Sequence, residues 1–327
     1  MSKSNFKKNC IIFIVLIFIY FFISILIYTL SSFALLKGKV LDFTIITEYQ
    51  RNFYHQLGFR RIWQNQPDCI EYDSDLIFKP RNGICHFDNV EFKTRLTFSY
   101  NGRFHDTNII SNNLETKGIA VIGDSHAMGW GVNDDETFSY ILETKIKKPV
   151  YNLAVSGYGT NREILALEKS KLIDKIDTVI IQYCNNDYNE NVHFSRNQLI
   201  NNYLKFQEIY SNDFSIFKRV RKGLRYAVTI PLKYSEKKLD WKREEHYFLN
   251  ILNSYDFLKE KKIIVIYANG HEIYYDNFKL NSYTGIKNID FLNIDYKKND
   301  FFLIDGHLNR EGHQKIANKL YNFINNK

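Results

Sequence analysis

Four short blocks of this sequence hold residue types that do acyl chemistry when they meet. Gly123-Asp124-Ser125 ends the apolar run GIAVI, and Ser156-Gly157-Tyr158-Gly159-Thr160 follows VYNLAV. Cys184-Asn185-Asn186-Asp187 follows DTVIIQY, and Asp305-Gly306-His307 precedes a helical pattern. A serine on a strand-to-helix turn stands at the sheet's carboxyl edge, where free backbone N–H groups and the helix dipole stabilise negative charge. A glycine lets a backbone N–H come close to a ligand. An asparagine amide is the kind of donor that supplements backbone donors around an oxyanion. An acid two residues from a histidine can bond one ring nitrogen and leave the other free as a base. Each block alone also has a bland reading as a turn, a helix start or an Asx cap.

The surrounding pattern decides what these blocks can share. Strands are expected at Gly118–Ile122, Val150–Val155, Asp177–Tyr183 and Lys262–Tyr267. Helices are expected at Glu136–Ile146, Asn161–Ile173, Glu244–Lys259 and Arg310–Phe323. Alternating strands and helices imply a parallel sheet covered on both faces. Such sheets bind ligands at the carboxyl ends of their strands, near a topological switch point. The serine, glycine and asparagine blocks each follow a strand, and the acid–histidine pair precedes the last helix.

In that order, the chain resembles the SGNH hydrolases, also called the GDSL family, over Phe78 to its C-terminus. The resemblance includes FKPRNG and FSYNGRF ahead of the serine block. It implies a three-layer α/β/α, flavodoxin-like fold with a central parallel sheet. It assigns catalysis to Ser125, Asp305 and His307, and an oxyanion hole to the N–H groups of Ser125 and Gly157 and the amide of Asn186. It implies no metal and no cofactor. Two positions depart from the family pattern. Cys184 stands where Gly-x-Asn-Asp has its glycine, and Asp-x-His replaces Asp-x-x-His. The G-x-S-x-G elbow of α/β-hydrolases is absent, because Ala127 occupies its second glycine position. His313 is read as structural or capping, and His126 as a packing residue.

The implied reaction is hydrolysis of an acyl ester, with O-acetyl groups of an envelope glycan as a candidate substrate. An O-acyltransferase using the same five residues is the alternative. A non-catalytic glycan-binding protein on the same scaffold is a third reading. A dinucleotide site is excluded, since GDSHAMG lacks G-x-G-x-x-G spacing.

The 327 residues include 45% hydrophobic and 24% charged residues and four prolines, an ordinary globular balance without proline-rich linkers. The formal charge of +8 suits an anionic surface, and no nucleic-acid motif accompanies it. Lys3, Lys7 and Lys8 precede an uncharged run from Ile11 to Leu30, the length of a membrane-crossing helix. Ser32-Phe33-Ala34 also fits a small-x-small cleavage pattern. A retained anchor with the N-terminus in the cytoplasm and the main domain on the extracytoplasmic side is the expectation. Cys69 and Cys85 are a candidate disulfide there, with two unrelated thiols as the alternative. Cys184 reads as a small buried hydrophobe.

The expected organisation is an anchor over 1–36, a juxtamembrane and β-rich lead-in over 37–115, and an SGNH-like domain over 116–327. Within that domain, about 190–243 forms a helical insertion. It carries Lys218, Arg219, Arg221, Lys222, Arg225, Lys237, Lys238 and Lys242. Its basic face is read as solvated, with lipid head groups or an acidic glycan as the alternative partner.

Overall fold

The computed structural model describes residues 3–56, 63–99, 102–103, 117–195, 216–233, 237–270, 273–282 and 285–326. Two compact units emerge. One is helical and takes Met1–Arg60, Ile209–Ser235 and Leu303–Asp305; the other takes Arg61–Glu208, Glu236–Phe302 and Gly306–Lys327.

The second unit is an α/β structure. Its strands run β1 (Ile70–Asp73), β2 (Ile77–Pro80), β3 (Gly83–Asp88), β4 (Lys93–Ser99), β5 (Gly102–Arg103), β6 (Gly118–Gly123), β7 (Val150–Asn152), β8 (Ile176–Tyr183), β9 (Lys237–Asp240), β10 (Lys262–Tyr267), β11 (Ile273–Asp276) and β12 (Ile289–Leu292). Among the described residues the main sheet has eight strands in the order β12-β10-β8-β6-β7-β5-β4-β3. The five from β12 to β7 are parallel. Pairing from β7 through β5 and β4 to β3 is antiparallel.

Strand alternation explains the layering. On β6, Ile119 and Val121 join one apolar cluster while Ala120 and Ile122 join the other. On β10, Ile264 and Ile266 face the first, Ile263 and Val265 the second. The helices in chain order are α1 (Lys3–Leu36), α2 (Thr44–Gln56), α3 (Ser125–Met128), α4 (Phe138–Ile146), α5 (Thr160–Lys169), α6 (Asp187–Ser195), α7 (Ile216–Lys233), α8 (Trp241–Asn253) and α9 (Arg310–Asn325). Phe138 and Leu142 of α4, with Ile316 and Leu320 of α9, cover the first face. Ile164 and Leu167 of α5, with Phe248 and Leu252 of α8, cover the second. A one-residue register slip would reverse every one of these contacts.

The chain leaves β6 toward β7 on one side, and later lays β8 on the other. The order therefore reverses at β6, which puts the switch-point crevice at the carboxyl end of the strand before Ser125.

The strand expected to reach Val155 ends at Asn152, whose side-chain oxygen turns back to accept from the Ala154 N–H at 3.1 Å. The β-rich lead-in does not stand apart from the main sheet. Strands β3 to β5 extend it, and Arg103 pairs with Asn152 across the junction. Cys69 and Cys85 are joined in a disulfide with Cα atoms 5.8 Å apart, fastening the chain just ahead of β1 to β3. Residues 57–62, 100–101 and 104–115 of the lead-in and 196–215 and 234–236 of the insertion lie outside the described residues.

In the helical unit, α1 is long and apolar enough to cross a membrane. Gln50 of α2 ties the turn between the two helices. Its amide donates to the Ser31 and Lys39 carbonyls at 3.1 and 2.8 Å, and its oxygen accepts from the Leu41 N–H at 2.9 Å.

Candidate active site

The turn after β6 is built for close packing. Gly123 has φ +154°, and a Cβ there would stand 2.8 Å from both the Ala127 Cβ and the Gln182 Oε1. Asp124 caps α3 by accepting from the His126 N–H at 2.8 Å. Ser125 is the first residue of α3, a position whose N–H has no intrahelical acceptor. Gln182, fully buried on the neighbouring β8, staples the turn. Its Oε1 accepts from the Asp124 and Ala127 N–H groups at 3.2 and 3.0 Å, and its Nε2 donates to the Ala268 carbonyl at 3.3 Å.

His307 arrives from the other end of the chain. Its Nε2 lies 2.7 Å from the Ser125 Oγ. The Phe302 N–H donates to the His307 carbonyl at 2.8 Å, and Phe301 bridges Leu308, so the loop is closed at its base. His126 is buried beside it, ring centroids 4.8 Å apart, and accepts from the Leu308 N–H at 3.4 Å through Nδ1.

The other two blocks meet the same turn. The Val155 N–H donates to the Gly123 carbonyl at 3.0 Å, and the Ser156 N–H to the Met128 sulfur at 3.3 Å. Gly157 follows in the left-handed region at φ +85°, exposed at the surface. Asn186 is also exposed, and its Nδ2 donates to the Asp124 Oδ2 at 3.2 Å. An amide nitrogen carries two hydrogens, so this bond fixes the side chain and leaves one donor over. Cys184 is buried, as its chemistry suggests, and burial pushes its thiol well up.

Asp305 belongs to the helical unit, two residues before His307 along the chain. There it is buried, and its Oδ2 accepts from the Tyr54 Oη at 3.2 Å. Arg51 Nη2 donates to the Leu303 carbonyl at 2.8 Å, and a ring nitrogen of His55 bonds the Ile304 carbonyl at 3.2 Å. Helix α2 thus grips all three residues of this segment.

His313 lies on α9, fully buried and stacked on Phe138 at 5.8 Å. Its Nδ1 accepts from the Phe138 N–H at 3.1 Å, and burial holds its pKa down at about 3. It stays a neutral acceptor that caps α4. Burial also pushes up the Asp124 carboxyl, against the opposing pull of the His126 N–H, His307 and Asn186. Glu163 and Asp187 are raised further, chiefly by burial and then by neighbouring carboxylates.

Three solved structures are similar to this chain. A lipolytic protein of the G-D-S-L family from Desulfitobacterium hafniense DCB-2 is 14% identical, covering 63% of this chain and 99% of its own, with a TM-score of 0.34. A carbohydrate esterase family 2 enzyme with a carbohydrate-binding domain from Corynascus thermopiles (Myceliophthora fergusii) is 13% identical, covering 64% and 65%, at a TM-score of 0.36. The lipase Lip_vut3 from a goat rumen metagenome is 15% identical, covering 63% and 96%, at 0.29. No family model and no curated protein matches the sequence. Likeness at this level leaves function to the site itself.

Sequence reasoning missed several residues that build the site. Gln182 carried a signal, as the one strongly polar residue near the end of an apolar strand. Gln64 carried none. Its Nε2 donates to the Ser156 Oγ at 2.9 Å and would stand 2.5 Å from a Cβ on Gly157. Arg103 is also new. Fully buried, its guanidinium donates to the Met128, Gly129 and Val132 carbonyls and pairs with Asp134 at 3.2 Å, pinning the loop after α3.

Proposed function

We propose that this chain is a serine-dependent carboxylic ester hydrolase of the SGNH type, held in a membrane by α1. The observation that carries this reading is the 2.7 Å approach of the His307 Nε2 to the Ser125 Oγ at a switch-point crevice. In the proposed reaction, His307 takes the hydroxyl proton as Ser125 attacks the ester carbonyl. The tetrahedral oxyanion is held by the N–H groups of Ser125 and Gly157 and the remaining donor of Asn186. His307 then gives the proton to the leaving alcohol, and water releases the acyl group by the same steps in reverse. Asp305, gripped by Tyr54, is the acid assigned to orient the imidazole and stabilise its charged form.

The α1 lysines favour an N-terminus in the cytoplasm, and the Cys69–Cys85 disulfide suits an oxidising compartment outside it. That placement favours an acylated envelope glycan as substrate. The test is p-nitrophenyl acetate hydrolysis by the full chain in detergent, wild type beside Ser125→Ala, with and without an added sugar. Serine-dependent acetate release supports the hydrolase; acetyl appearing on the sugar redirects the reading to an O-acyltransferase. Equal rates for the two proteins, both folded, refute acyl chemistry at Ser125.

A further inference from the structure

Helix α7 carries a proline inside its last turn, and the consequence is visible. Pro231 has no N–H, so the Ala227 carbonyl four residues earlier loses its intrahelical donor. The Tyr49 Oη of α2 donates to that carbonyl at 2.7 Å. One residue on, the Tyr20 Oη of α1 donates to the Val228 carbonyl at 2.7 Å. Gly223, one turn before Ala227, brings α7 close enough that a Cβ on it would lie 3.2 Å from the Tyr28 Oη. Small residues four apart with neighbour-supplied donors are how helices associate within lipid.

The contacts also fix a depth. Tyr20 is the middle of the uncharged run Ile11–Leu30, and Tyr28 is near its end. At 1.5 Å per residue the two are separated by about 12 Å along α1. Helix α7 therefore runs beside the C-terminal half of the span, with Val228 deeper than Gly223. Its composition is graded over the same stretch: Lys218, Arg219, Arg221, Lys222 and Arg225 precede the uncharged Ala227–Leu232, and a single cation, Lys233, ends the helix. Arg221, Lys222 and Arg225 are exposed, and Leu224 among them is 46% exposed. Large apolar side chains are also exposed on the neighbouring elements, at Leu30, Phe33, Phe43 and Ile45.

We propose that α7 is a lipid-seated helix, with Val228–Pro231 beside α1 among the acyl chains and the Arg221, Lys222 and Arg225 side chains extended outward to anionic phospholipid headgroups. This rests on α1 crossing the bilayer, and not on the catalytic reading. Each cation near such a surface adds roughly 1 kcal/mol of attraction, about a fivefold gain in occupancy.

Full-length protein with Cys10→Ser is reconstituted in vesicles of phosphatidylcholine with one quarter phosphatidylglycerol. Nitroxide labels are placed singly at Phe22→Cys, Leu224→Cys and, as an aqueous control, Lys93→Cys. Collisions with oxygen report lipid, and collisions with a water-soluble nickel chelate report solvent. The expected result is oxygen-dominated relaxation at 22 and 224 and nickel-dominated relaxation at 93. Replacing Arg221, Lys222 and Arg225 by Gln should raise nickel access at 224 at least fivefold. Nickel access at 224 equal to that at 93, with 22 still shielded, overturns the lipid seat and leaves the span intact. Nickel access at 22 itself overturns the span and the seat together. Equal shielding at 224 in pure phosphatidylcholine overturns the anionic-headgroup part.

Discussion

The Ser125 hydroxyl and the His307 Nε2 stand 2.7 Å apart across 182 residues of chain. Parallel strands bring that pair together, since β6 delivers the serine to the sheet edge and the loop ahead of α9 delivers the histidine. If this pair is the reacting couple, Ser125→Ala and His307→Ala should each lower kcat by about 10⁴-fold or more, because triad members act as a unit. The double variant should fall no further. Ester turnover alongside thermal melting would check this; a residual rate within tenfold of wild type would refute it.

Tyr54 tests the acid. Its hydroxyl donates to the Asp305 Oδ2, a bond to a charged acceptor worth about 1.5–3 kcal/mol. Asp305→Asn is expected to cost about 10⁴-fold in kcat by leaving the imidazolium unsupported. Tyr54→Phe should cost roughly tenfold and move the acid limb of the kcat/KM profile upward in pH, because the carboxylate loses a donor that favours its charged form. A uniform loss at every pH would mean that Tyr54 is only structural.

Gly157→Ala should lower activity by about 10²–10³-fold, the usual cost of losing one oxyanion donor. Two causes act, a strained φ of +85° and a collision with Gln64 Nε2 at 2.5 Å. Adding Gln64→Ala removes only the collision. Partial recovery in the double variant, measured as kcat, separates the two causes; no recovery assigns the loss to the backbone.

Arg103 is buried against Asp134, itself only 5% exposed on its side chain. Arg103→Met would leave that carboxylate without its buried partner, and should cost about 3–5 kcal/mol in urea unfolding. Adding Asp134→Asn should return part of it. A single-variant loss below about 1 kcal/mol would show that the guanidinium is dispensable.

His313 gives a pH signature. Its folded pKa of about 3 lies below the ordinary 6.5, so between those values the unfolded chain binds the extra proton. Stability therefore falls as pH drops below 6.5, by up to about 2 kcal/mol at pH 5 from this group. His313→Gln, compared with wild type by urea midpoints at pH 7 and 5, should show the shallower pH dependence. Parallel slopes would count against a neutral buried imidazole.

Much of this protein is legible one segment at a time. The apolar run at Ile11–Leu30, the strands around Ala120, Ile180 and Val265, and the helix at Arg310 follow from local periodicity and burial. The resemblance singles out Ser125, Gly157 and Asn186, and their loops all follow strands of one sheet. The rest was decided by tertiary structure, since it depends on contacts between distant residues. Arg103 has no local motif and matters only where three carbonyls and Asp134 converge on it. Gln64 became a neighbour of Gly157 only when the lead-in folded back. The hydroxyl of Tyr49 found a use because Pro231 freed the Ala227 carbonyl, 178 residues away on another helix. Local sequence determines which elements form and which side chains they offer; which donor meets which acceptor waits for packing, where an unpaired buried polar group costs too much to leave.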